Sequence, residues 1–266
     1  MIAAVKTRAS DGLEVGALQS GARGKTLIYV HGVGSSAAIW NDQLEAFAGR
    51  TRGLAVQLRG NGALPDPNPA LVTRAGFMRD VLAVADAAGA QRFHLVGCSL
   101  GGVVGFELWK HVPERLASMV LVGSFAAYPN AQQTVENITA AVRSADSMHA
   151  FAVDRTPRIL PPDAPAERVQ ATIEQMAAKS RECYIAATRA TWTGDYRSLL
   201  GGITIPVLVI CGDLDPIAPV ALSQEIAAGV PGARLQIIHG ASHITNADAP
   251  DYFNALLEEF LKYAEV

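Results

Sequence analysis

The sequence predicts an α/β fold: a mostly parallel central sheet with helices on both faces and a helical cap inserted between two of its strands. Three observations lead there. Short apolar, β-branched runs alternate with longer helix-like stretches along the 266 residues. Several of these runs are apolar at consecutive positions, as expected of strands buried on both faces of a parallel sheet. The alternation fails once, between 125 and 197, where only helical patterns occur.

The expected core strands are "TLIYV" (26–30), "GLAVQL" (53–58), "RFHLVG" (92–97), "SMVLVG" (118–123), "IPVLVICG" (205–212) and "RLQIIH" (234–239). Helical patterns fall at 37–48, 73–88, 99–112, 218–229 and 249–264. Alternation of this kind builds βαβ units and an open sheet covered on both sides. Within 125–197, "AQQTVENITAAVRS", "PAERVQATIEQMAAKS" and "CYIAATRATW" read as amphipathic helices, and "TPRILPPDAP" as a proline-rich break. An insertion here is expected to roof the C-terminal edge of the sheet, where open α/β sheets bind ligands.

A chain of this length buries a substantial core as a single domain, here expected to span 1–266. Half of the residues are hydrophobic and 18 % are charged, a globular balance. The net charge of −3 and the scattered Lys and Arg give no electrostatic case for nucleic acid or an anionic membrane as partner. Cys98, Cys183 and Cys211 are odd in number and widely spaced, which excludes a disulfide framework and a simple zinc site and fits a reducing cytoplasm. The opening "MIAAVKTRAS" lacks the pattern of a signal peptide, and no run approaches the roughly 18 apolar residues that span a bilayer. A small-molecule substrate is the expected partner.

Gly97-Cys98-Ser99-Leu100-Gly101 matches G-x-S-x-G at the junction of a strand and a helix, the context in which that motif is a nucleophile elbow. The turn is tight enough to need small flanking residues, and its strain lifts the Ser99 hydroxyl out of the sheet. Cys98 fills the variable position, where a small buried apolar side chain suffices. A serine hydroxyl needs a base to take its proton and a third group to orient that base. After such an elbow the chain order is acid, then histidine. "ICGDLDP" supplies Asp213 and Asp215, and "IHGASH" supplies His239 and His243, each pair just beyond a core strand. Asp215, deeper in its loop, and His243, beyond the strand end, are the expected catalytic partners; Asp213 reads as a turn residue and His239 as a structural one.

An oxyanion hole requires two backbone N–H groups facing the developing alkoxide. Leu100, directly after Ser99, is one expected donor. The loop "HGVGSS" (31–36) supplies the other, with Val33 first and Gly34 second, and His31 bracing the loop. No G-K-[ST] follows, so a phosphate-cradling reading is weak. Trp40 reads as a packing residue. Trp192 and Gly34 are candidates for the substrate pocket, and Arg189 and Arg197, either side of Trp192, are candidates to meet a substrate carboxylate or to be solvated.

"HGVGSSAAIW", "LRGNG", "GCSLGG", "HVPERLASMVLVGS", "PVLVICGDLDPIAP" and "GASHITNADAPDYFNALLEEFL" together resemble the α/β-hydrolase superfamily over nearly all of the chain outside the cap. The resemblance is closest to small, capped, cofactor-free hydrolases such as 3-oxoadipate enol-lactonases and related esterases. It implies cleavage of a small carboxylic ester or lactone with no metal or organic cofactor. Gln57, Asn61 and Leu64 stand where the family usually has Asp, His and Ser, which alters loop contacts rather than the triad. Ser99 replaces the aspartate nucleophile of epoxide hydrolases and haloalkane dehalogenases. Ile244 follows His243, where ring-cleavage C–C hydrolases often carry tryptophan. C–C hydrolysis with the same triad and a non-catalytic small-ligand receptor remain the alternative expectations.

Overall fold

The computed structural model describes residues 1–61 and 64–264; Gly62, the last residue of "LRGNG", lies outside them. The chain starts with a hairpin, β1 (Ala3–Arg8) and β2 (Glu14–Ser20), and then alternates strands and helices. The strands that follow are β3 (Lys25–Val30), β4 (Thr51–Gln57), β5 (Phe93–Cys98), β6 (Leu116–Val122), β7 (Val207–Gly212) and β8 (Arg234–Ile238). Helices α1 (Asn41–Phe47), α2 (Arg74–Ala87) and α3 (Leu100–His111) connect β3 to β6. Four helices, α4 (Ala131–Ser144), α5 (Met148–Arg155), α6 (Ala166–Ala177) and α7 (Arg181–Trp192), come between β6 and β7, followed by the short α8 (Arg197–Leu200). The chain closes with α9 (Val220–Gly229), the short α10 (Thr245–Asp248) and α11 (Pro250–Tyr263).

All eight strands form one sheet in the order β1-β2-β4-β3-β5-β6-β7-β8. β1 and β2 are antiparallel to their neighbours, and every pairing from β4 to β8 is parallel. Chain order reverses direction at β3, which lies between β4 and β5. The crevice beyond the C-terminal ends of β3 and β5 is therefore the switch point where such sheets bind ligands. The loop 31–36 and Ser99 both lie there.

Local sequence accounts for the elements. β5 and β7 are buried at every position, which only an apolar strand covered on both faces tolerates. Thr73 Oγ1 accepts the Gly76 N–H at 3.0 Å and starts α2; Ser147 and Ser180 cap α5 and α7 in the same way. Trp40 is fully buried against Tyr29 and Phe253, the packing role expected of it.

Three expectations are adjusted. The β1–β2 hairpin was not among the expected strands. β1 is mostly exposed and carries no apolar run, and Gly16 interrupts β2. The strand expected at 205–212 begins at Val207, just after Pro206, which has no N–H for a ladder. The helix expected at 37–48 opens as a 3-10 turn, Ala37–Trp40, capped by Ser36.

The two ends of the inserted segment meet. Ala127 and Asp195 form an isolated antiparallel bridge, and the Tyr196 N–H donates to Ala126 O at 2.8 Å. The insertion thus leaves and re-enters the sheet at one place.

Candidate active site

Ser99 occupies the sharp turn between β5 and α3, with φ 53° and ψ −111°. Left-handed backbone is costly for a residue with a Cβ and is held only where the surroundings over-determine it. Those surroundings are visible. The Ser99 N–H donates to Val122 O at 2.8 Å, and the Ser124 hydroxyl donates to Ser99 O at 3.0 Å. A Cβ on Gly97 would run into the Gly101 backbone, and one on Gly101 would run into Val30 O. Both glycines are required by close approach of strand and helix.

Asp215 and His243 arrive from the ends of β7 and β8. Asp215 Oδ2 lies 2.7 Å from His243 Nδ1. Its other oxygen accepts the N–H groups of Ile217 (2.8 Å) and Ala218 (3.0 Å). Burial raises the Asp215 carboxyl, but the adjacent His243 and these two amides outweigh it and hold it below the ordinary carboxylate value. The rival residues form a separate pair: Asp213 Oδ2 lies 2.8 Å from Nδ1 of the exposed His239, and Oδ1 accepts the Gly240 N–H. The loop carrying His243 is tied on two sides. The His243 N–H donates to Ile159 O of the insertion at 3.2 Å, and the Ser242 N–H donates to Asp248 Oδ2 at 2.8 Å. Burial raises the Asp248 carboxyl to about 6, against the pull of the Ser242 amide and Arg168.

The loop after β3 is braced by His31, which is fully buried. Its Nε2 accepts the Leu58 N–H at 3.2 Å, so Nδ1 carries the proton and donates to Gly32 O at 2.7 Å. Burial lowers its pKa to about 4, and the imidazole is neutral. Two of the three positions that depart from the family pattern, Gln57 and Asn61, bond this loop and the turn after it. Gln57 Oε1 accepts the Ala37 N–H at 3.1 Å, and Asn61 Oδ1 accepts the Gly34 N–H at 3.2 Å. The second bond engages the Gly34 amide. Leu100 is the first residue of α3, where N–H groups have no acceptor within the helix.

Ser99 and His243 line one cavity of about 40 Å³, room for a few water-sized groups. Val33, Gly34 and Trp192 line it as well. The insertion contributes Arg155, Ile159, Thr172, Gln175, Met176 and Tyr184 to its lining. Trp192 is buried and packs on Phe125 and Tyr128. Cys98 is buried beside Ser99, and burial with the nearby Asp215 and Asp248 pushes its thiol up, away from reactivity. Among the described residues no cluster of three or more His, Cys, Asp or Glu is arranged to hold a metal ion.

Neither expected arginine reaches the cavity. Arg189 lies in an outer groove with Arg74 and Lys110, and Arg197 is exposed and paired with Asp195. The cation in the cavity wall is Arg155, at the end of α5. Neither periodicity nor proximity to Trp192 singles it out.

A family model described as the alpha/beta hydrolase family matches residues 27–256. The chain belongs to the alpha/beta hydrolase family. It is 33 % identical over 252 residues to a Variovorax paradoxus protein named "Putative carbamate hydrolase RutD", covering 90 % of this chain and 92 % of that one. It is 30 % identical over 241 residues to 3-oxoadipate enol-lactonase 2 of Acinetobacter baylyi, covering 89 % and 88 % of the two chains. A solved structure of a hydrolase from Pseudomonas aeruginosa superposes with a TM-score of 0.88 at 31 % identity, covering 98 % of each chain. Hydrolysis is the coarse activity these family members share. Among the described residues no helix is long and apolar enough to cross a membrane.

Proposed function

We propose that this α/β hydrolase cleaves a small carboxylic ester or lactone through an acyl-enzyme on Ser99. The observation that carries the reading is the 2.7 Å Asp215–His243 pair opening onto the cavity that Ser99 also lines. His243 Nε2, the ring nitrogen not engaged by Asp215, takes the Ser99 proton as the hydroxyl oxygen attacks the substrate carbonyl carbon. The Val33 and Leu100 amides receive the resulting oxyanion; losing one such donor costs on the order of 3 kcal/mol of transition-state stabilisation. The tetrahedral adduct collapses, the C–O bond to the leaving alkoxide breaks, and His243 returns the proton to that oxygen. Water then attacks the acyl-enzyme, its proton passing to His243 and on to Ser99 Oγ as the acid departs.

The insertion acts as a cap in this reading, and the small cavity favours short acyl groups. A carbamate is a second acyl-transfer substrate open to the same residues, favoured by the Variovorax paradoxus relative. The test is turnover of short-chain esters, a lactone and a carbamate by the wild type and Ser99→Ala. Ester or lactone turnover that is lost in Ser99→Ala supports the reading. Equal rates for both proteins across the panel overturn it.

A further inference from the structure

Two neighbouring amides fix the backbone that carries His243, and different parts of the molecule hold them. The Ser242 N–H donates to Asp248 Oδ2 at 2.8 Å, and the His243 N–H donates to Ile159 O of the inserted segment at 3.2 Å. Asp248 ends the short α10, which is bonded to the core on both sides of Asn246. The Asn246 Nδ2 donates to Ile39 O at 2.8 Å, and Gln43 Nε2 donates to Asn246 O at 3.1 Å. The Asp248 side chain is 3 % exposed. Its Oδ1 is buried and takes part in no hydrogen bond among the described residues; Arg168 Nη1 stands 3.6 Å from it. Arg168 lies on α6, one turn before Thr172, and α6 lines the Ser99 cavity through Thr172, Gln175 and Met176.

A buried carboxylate is tolerated only when its charge is answered. The Ser242 amide answers one oxygen of Asp248, and Arg168 of the inserted segment faces the other. Burial, with the nearby Asp215, pushes the carboxyl up to about 6, against the Ser242 amide, Arg168 and His243. Proton transfer from Ser99 requires His243 Nε2 within hydrogen-bond reach, and a misplacement of about 1 Å costs roughly 10²-fold in rate. We infer that Asp248 and Arg168 are positioning residues for His243: Asp248 anchors the loop that carries the imidazole, and Arg168 anchors Asp248 from the inserted segment. The docking of α6 and the placement of His243 are thereby one arrangement. The inference rests on the proposed role of His243 as base. Neither residue touches the reacting atoms, so the loss of either is felt in kcat rather than in KM.

The test is steady-state kinetics at pH 8 on the best ester, with Asp248→Asn, Arg168→Met, Arg168→Lys and the double variant Asp248→Asn/Arg168→Met in the full-length protein. Circular dichroism checks that each is folded. Asn keeps the shape of Asp but turns a donor toward either the Ser242 N–H or Arg168. Asp248→Asn should lower kcat about ten- to a hundredfold, the range of a hydrogen bond to a charged group, with KM little changed. Arg168→Met should lower kcat about two- to fivefold, the worth of a partly exposed ion pair, and Arg168→Lys should regain most of that. In the double variant the second substitution should add nothing to the first, as for residues acting through one contact. A folded Asp248→Asn with wild-type kcat, or an Arg168→Met effect that is equal with and without Asp248, overturns the inference. If Asp248→Asn does not fold, Arg168→Met alone decides: an unchanged kcat overturns the inference, and a lowered one regained by Lys supports it. Absence of any Ser99-dependent turnover would instead count against the proposed function. In that case the proton resonance of His243 Nδ1–H is read in the wild type and in Arg168→Met: a shifted or broadened signal supports the inference and an identical one overturns it.

Discussion

Asp215 touches His243 with one carboxylate oxygen, at 2.7 Å, while its other oxygen is held by the amides of Ile217 and Ala218. The carboxylate cannot rotate without breaking those bonds, so the imidazole it orients has one tautomer, with the proton on Nδ1 and the lone pair on Nε2, the base of the proposed mechanism. Asp215→Asn puts an amide where the acceptor stood. We expect kcat to fall about 10³- to 10⁴-fold with the fold intact, as when the acid of such a triad is neutralised. Asp213→Asn disturbs only the exposed Asp213–His239 pair, and kcat should stay within about threefold of wild type. Steady-state kinetics on the best ester separates the two.

The elbow glycines make a prediction about stability. A methyl group on Gly101 collides with Val30 O, a backbone atom that cannot turn aside. Gly101→Ala should lose more than about 3 kcal/mol of unfolding free energy, as overpacking against rigid backbone does. Urea unfolding followed by circular dichroism reads the loss directly.

His31 predicts a pH dependence of stability. Unfolded, its imidazole takes up a proton near 6.5; buried, only near about 4. Between these values the unfolded state binds more protons, so stability is fully present above 6.5 and falls as the pH drops toward 4. The gap amounts to about 3 kcal/mol. His31→Gln, which has no such proton, should be less stable than wild type at pH 7.5 and approach or overtake it by pH 4. Chemical unfolding of both proteins across that range measures the crossing.

Asn61 tests the bracing of the oxyanion loop. Its side chain accepts the Gly34 N–H at 3.2 Å and donates to Arg59 O at 3.1 Å. Asn61→Ala removes both bonds and frees the amide next to the proposed donor. Stability should drop by about 1–2 kcal/mol, and kcat should fall more than KM rises, because the loop then holds the oxyanion less well. Steady-state kinetics of this variant on the same ester checks the split.

The sequence revealed the parts whose chemistry is tied to strand ends. Ser99, Asp215 and His243 each follow an apolar run at the same sheet edge, so chain order and strand polarity bring them to one place. The β1–β2 hairpin gave no comparable signal, because an exposed edge strand needs no apolar run. Nor could the pocket cation be read. Arg189 and Arg197 lie near Trp192 in sequence, but on α7 Arg189 turns to the outside and Arg197 meets Asp195. Arg155, almost forty residues earlier, reaches the cavity because of how α5 packs on α6 and α7, a tertiary arrangement with no period in the sequence. Asn61 marked a departure from the family pattern, but its bond to the Gly34 amide depends on two loops meeting.

The central claim is that Ser99 is an activated nucleophile. The most direct measurement is labelling of the folded protein with a fluorophosphonate, followed by mass spectrometry of the digest. One adduct per chain is expected on Ser99, abolished in Ser99→Ala and strongly slowed in Asp215→Asn. An unlabelled wild-type protein, or an adduct that persists in Ser99→Ala, would contradict it.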